Sequence, residues 1–135
     1  MTAVRRLRIA FAAGALTDAF ALVPMLVPSA ARLLWGFENP TGSYVFAMGY
    51  GASLMLGWTL LLLWAYARPL ERRFVALLTL VVIAGLAATE VVVVLRGALA
   101  ASRVVPTWAI QATLAVLFLR AYTAAEGAGG SSVTS

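Results

Sequence analysis

Cysteine, histidine and lysine are all missing from this chain of 135 residues. Without a thiol there is no disulfide, thiolate nucleophile or iron–sulfur ligation. Lack of histidine removes the commonest zinc and haem ligand and the usual general base. The missing lysine rules out a Schiff base. Negative charge is also scarce: five acids stand against ten basic residues, every one of them arginine, and charged residues make up only 11% of the chain. A water-facing surface cannot be assembled from so few charges. No resident cofactor and no metal site are expected.

What is present is apolar. Hydrophobic residues account for 63% of the sequence and its mean hydropathy is +0.96, well above the roughly 45–50% apolar usage of soluble domains. A helix crossing a bilayer needs about 20 mostly apolar residues. Four windows meet that length, at about 9–31, 44–66, 74–96 and 104–122. The predicted fold is therefore all-α: an integral membrane four-helix bundle over residues 1–125, followed by a disordered Gly/Ser-rich tail at 126–135. A cleaved signal peptide is the competing reading of the N-terminus, with RRLR as its charged region. The apolar stretch is too long for one, and Asp18 interrupts it.

Arginine placement predicts orientation. Arg5, Arg6, Arg8, Arg68, Arg72, Arg73 and Arg120 fall at one side, and Arg32, Arg96 and Arg103 at the other. The positive-inside rule then puts both termini in the cytoplasm. Trp35, Tyr44 and Trp108 mark the outer interface in this reading, and Trp64, Tyr66 and Tyr122 the inner one. Because the arginines sit at segment ends rather than in one patch with aromatics, nucleic acid is not an expected partner despite the net charge of +5. The first connection carries breakers at Gly36, Asn39-Pro40 and Gly42, and an exposed Arg32–Glu38 pair there would contribute only about 0–1 kcal/mol.

Polar residues inside the windows are the candidate site. Asp18 is counted about nine residues into its helix, or ~13 Å deep. A charge there costs at least ~2.5–3.5 kcal/mol on insertion scales, so its side chain is expected to face the protein interior. The small residues around it, Gly14 and Ala15 among them, allow close approach of another helix. Glu90 is counted ~24 Å up the third helix, an axial offset of ~10 Å that argues against a close carboxylate pair. Tyr50 is expected to hydrogen-bond Glu90, and Arg96 to reach it from the helix end. Trp58 is expected level with Asp18, its indole N–H seeking a buried acceptor. Thr107, Trp108 and Gln111 form one stripe of the fourth helix, with Gln111 facing inward toward Glu90. Each of these has a packing-only alternative, an acid held protonated or hydrogen-bonded between helices.

Two further patterns concern packing. Gly49, Ser53 and Gly57 repeat every four residues beside Ala47 and Gly51, a small-residue seam suited to helix–helix contact within the chain or between copies. Pro24 and Pro28 each remove a helical hydrogen bond and should kink the outer part of the first helix. A short echo, GALTD at 14–18 against GLAATE at 85–90, is attributed to the biased composition.

LVPMLVPSAARLLWGF and YVFAMGYGASLMLGW resemble stretches of small bacterial four-helix membrane proteins of the DoxX-like kind. The resemblance implies a four-helix fold in a bacterial inner membrane and transfers no catalytic residue. Three functions are compatible with the residues. The leading one is binding or translocation of a small amphipathic molecule, lipid or proton at Asp18 and Glu90, with Tyr50, Gln111 and Trp58 as further contacts. Next is an accessory subunit or homo-oligomer docking through Gly49, Ser53 and Gly57. An intramembrane enzyme ranks last, because no nucleophile–base pair or ligand cluster is present.

Overall fold

A computed structural model describes residues 1–37 and 41–130, and the described residues are all-helical. Five helices follow in order: α1 (Ala3–Leu26), α2 (Pro28–Trp35), α3 (Gly42–Ala67), α4 (Phe74–Leu95) and α5 (Ala101–Gly130). The four long ones are each apolar and long enough to cross a membrane. The turn expected at Asn39-Pro40 and the Arg32–Glu38 pair lie outside the described residues, as does the tail beyond Gly130.

The boundaries differ from the sequence counts in three places, each with a local cause. Helix α1 begins at Ala3 rather than near Ile9, because Thr2 is extended and its hydroxyl accepts from Arg5 N at 3.4 Å, a side-chain N-cap. Its arginines therefore stand on the helix and not before it. At the other end the first window breaks in two. Val27 is extended (φ −114°, ψ 105°) and Pro28 opens α2. A residue before proline is disfavoured in the helical region, and proline suits the first position of a new helix. Finally, α5 continues to Gly130, so Glu126–Gly130 of the expected tail are helical. Ala121 and Ala125, each 1% exposed, hold that end against the bundle, and the alanine-rich run favours helix.

The helices do not close into a square. In cross-section they form a curved row, α3 beside α1, α1 beside α5, and α5 beside α4, with α4 touching α1 and α3 only sparingly. The core lies where α1 meets α3 and α5. Leu7, Phe11, Leu62 and Phe118 are fully buried there, and the Phe11 and Phe118 rings stand 6.0 Å apart. Close approach depends on Gly14, where a Cβ would meet Phe118 Cζ at 2.9 Å and Leu62 Cδ1 at 3.1 Å. Large apolar side chains such as Phe20, Leu54, Val81 and Leu95 point away from the protein. A lipid-facing surface has no need to bury them.

The arginine-poor end is tied together by α2. Gly36 ends that helix with φ 74°, a left-handed cap that glycine adopts without strain. The Arg103 guanidinium lies against Gly36 and donates to the Leu33 carbonyl at 3.3 Å. At the opposite end Arg72 lies over the Trp64 ring and donates to the Trp64 carbonyl, while Arg8 lies 5.6 Å over Tyr66.

Candidate functional site

Helix register determines which polar residues meet. Gly14 opposes Leu62 across the α1–α3 contact, and Met25 opposes Gly51. The two helices are antiparallel, so four steps up α1 from Gly14 and four steps back along α3 from Leu62 reach Asp18 and Trp58 together. On the other flank Gly14 abuts Phe118, and Thr17 lines a groove with Ile110, Thr113 and Leu114. Asp18 thus stands level with Leu114, less than a turn from Gln111. Gln111 Nε2 donates to Glu90 Oε1 at 3.1 Å. Asp18, Trp58, Glu90 and Gln111, one from each long helix, occupy a single layer about one helical turn thick.

This corrects the ~10 Å offset between the acids inferred from counting. Asp18 lies fifteen residues beyond the start of α1 and Glu90 sixteen beyond the start of α4. The earlier figure came from starting α1 too late. Asp18 is half-buried and extends the inward stripe formed by Leu7, Phe11 and Gly14.

The layer is rich in polar atoms that the protein itself does not match. Gln111 is only 8% exposed, and its Oε1 is buried without a partner. Glu90 Oε2 is likewise buried and unpaired. Trp108, one turn before Gln111 on the same face, brings its indole near the Glu90 carboxylate without completing a hydrogen bond, and Trp58 Nε1 is also unmatched. Asp18 accepts no hydrogen bond from the described residues. Of the five buried side-chain polar atoms without partners among those residues, three belong to this layer and a fourth, Trp108 Nε1, adjoins it one turn away; the exception is the Tyr44 hydroxyl. Native interiors leave few such atoms, because each costs about 1–3 kcal/mol.

No family model, curated protein or solved structure matches this chain. What the layer does must be read from its own chemistry.

Two expected contacts are not made. Tyr50 is 65% exposed and packs on Phe46, with ring centroids 5.1 Å apart. It does not serve Glu90: α4 lies along α5 and touches α3 only sparingly. Arg96 is exposed and forms no ion pair with Glu90; among the described residues the one ion pair is Arg68–Glu71, at 3.4 Å on the surface. Trp108, expected on one stripe with Gln111, comes near Glu90. Its three-residue spacing from Gln111 was the signal for that placement.

The small-residue seam is turned outward. A Cβ at Gly49 or Gly57 would meet nothing within 4 Å, and the Ser53 hydroxyl donates to the Gly49 carbonyl of its own helix at 2.9 Å. Contact within the chain uses Gly14 and Gly51 instead, where a Cβ at Gly51 would meet Met25 Cε at 2.7 Å. No group of three or more potential metal ligands occurs among the described residues.

Proposed function

We propose that this protein is a multi-pass component of a bacterial inner membrane, with both termini cytoplasmic, and that it binds or translocates a small amphipathic molecule, lipid or proton at the layer of Asp18, Trp58, Glu90 and Gln111. One observation carries the reading: all four long helices contribute a polar residue at one level, and the buried atoms there outnumber their partners. A layer serving helix packing alone would be expected to close its own hydrogen bonds, since unmatched buried groups destabilise the fold. Ionisable residues at this depth mark ligand or ion pathways more often than passive structure.

The test is mass spectrometry of molecules that co-purify with the protein in mild detergent. Wild type should retain a molecule that Asp18→Asn and Glu90→Gln lose while remaining monodisperse. Equal retention by both variants would end the proposal.

A second reading has its own support. The seam of Gly49, Ser53 and Gly57 is open and unpartnered, as a face that docks another helix would be. In that case Gly49→Leu with Gly57→Leu should dissolve a complex with a second membrane protein or copy, and neutralising the acids should leave it intact.

A further inference from the structure

We infer that the occupant of the polar layer is a lipophilic cation carrying N–H donors, of the protonated-amine class; the inference rests on the binding reading above. The first reason is charge. Asp18 and Glu90 are the acids of the layer, and neither has a cationic partner among the described residues, where Arg68–Glu71 is the one ion pair. Arginines near the layer in sequence are engaged or turned away: Arg103 is held at Leu33 and Gly36, and Arg96 is exposed. A buried carboxylate without a counter-charge either takes up a proton or recruits a cation.

The second reason is hydrogen-bond polarity. Gln111 is more than nine-tenths buried, and its amide N–H already serves Glu90, which leaves the carbonyl Oε1 as an open acceptor. Glu90 Oε2 is a second open acceptor, and the carboxylate of half-buried Asp18 accepts no hydrogen bond from the described residues. Against these stand the indole N–H groups of Trp58 and Trp108 and the second amide N–H of Gln111. Each carboxylate oxygen and the amide carbonyl can accept two bonds, so with Asp18 included the acceptor capacity exceeds these donors, and a matching ligand brings N–H groups. An ammonium does so with three N–H bonds and supplies the missing charge in the same group. An anionic or acceptor-rich headgroup would meet the wrong sign on each count.

Three compounds sharing one rigid cage separate the alternatives: 1-adamantylammonium, 1-adamantanol and 1-adamantanecarboxylate, titrated calorimetrically into the full-length protein in nanodiscs. The expected result is saturable binding of the ammonium, no saturable binding of the carboxylate, and at least about tenfold weaker ammonium binding in Asp18→Asn and in Glu90→Gln. Glu71→Gln, an acid outside the layer, should bind as wild type does. Adamantanol binding as tightly as the ammonium, with loss in both layer variants, would overturn the cation class and leave the layer as a binding site. Carboxylate binding that the variants abolish would do the same. No saturable binding of any of the three, together with no co-purifying molecule sensitive to Asp18 or Glu90, would overturn both. Ammonium binding that survives in both variants would place the amine elsewhere and also overturn the inference.

Discussion

Gly14 is where one atom matters most to the packing. Its missing side chain lets α1 sit against both Phe118 and Leu62, and it lies one turn below Asp18 on the inward stripe. Gly14→Leu should destabilise the fold by about 1–3 kcal/mol, since overpacking forces neighbouring side chains and backbone to shift. Thermal unfolding in detergent measures this. Gly57→Leu, with open space beyond the backbone, should unfold within about 0.5 kcal/mol of wild type in the same assay. The sequence marked both as small residues on helices. It could not rank them, because an outward glycine and an inward one look alike until the neighbours are placed. Gln111 was easier to read, since an amide on an apolar helix has to find a partner and Glu90 lay within reach.

At the level of elements, the proline pair divides the first membrane segment into α1 and α2. Pro28 supplies no N–H to the Pro24 carbonyl, and Val27 adopts an extended backbone before it. Pro28→Ala should therefore let the helix run on from Leu26. Val27 N already donates to the Val23 carbonyl at 2.8 Å, so hydrogen exchange should find newly protected amides at positions 28 and 29, with far-UV circular dichroism showing unchanged or slightly raised helicity; fast exchange at both would show that the break has another cause. An interruption here was legible from the two prolines. The tethering of α2 through Arg103 to the Leu33 carbonyl is a contact spanning seventy residues. No local pattern announces such a contact.

For the whole molecule, arginine-rich and arginine-poor ends give a testable orientation. The natural absence of cysteine makes introduced thiols unique. Ala98→Cys in intact cells should react with a membrane-impermeant maleimide, whereas Thr2→Cys should react only after permeabilisation; the reverse pattern would invert the topology. Composition and segment length by themselves determined that this is an all-helical chain with four helices able to cross a membrane, because about 20 apolar residues in succession have few other stable arrangements in lipid. They also singled out Asp18 and Glu90, since a carboxyl amid apolar residues is costly wherever the helices go. The short connection at 97–103 already made neighbours of α4 and α5; tertiary structure alone decided that α4 stays apart from α3, that Trp108 comes near Glu90 while Tyr50 turns away, and that the acids share a level. Those choices rest on side-chain fit between helices, at Gly14 and Phe118 above all, and interlocking shapes of this kind leave no periodic trace in a uniformly apolar sequence.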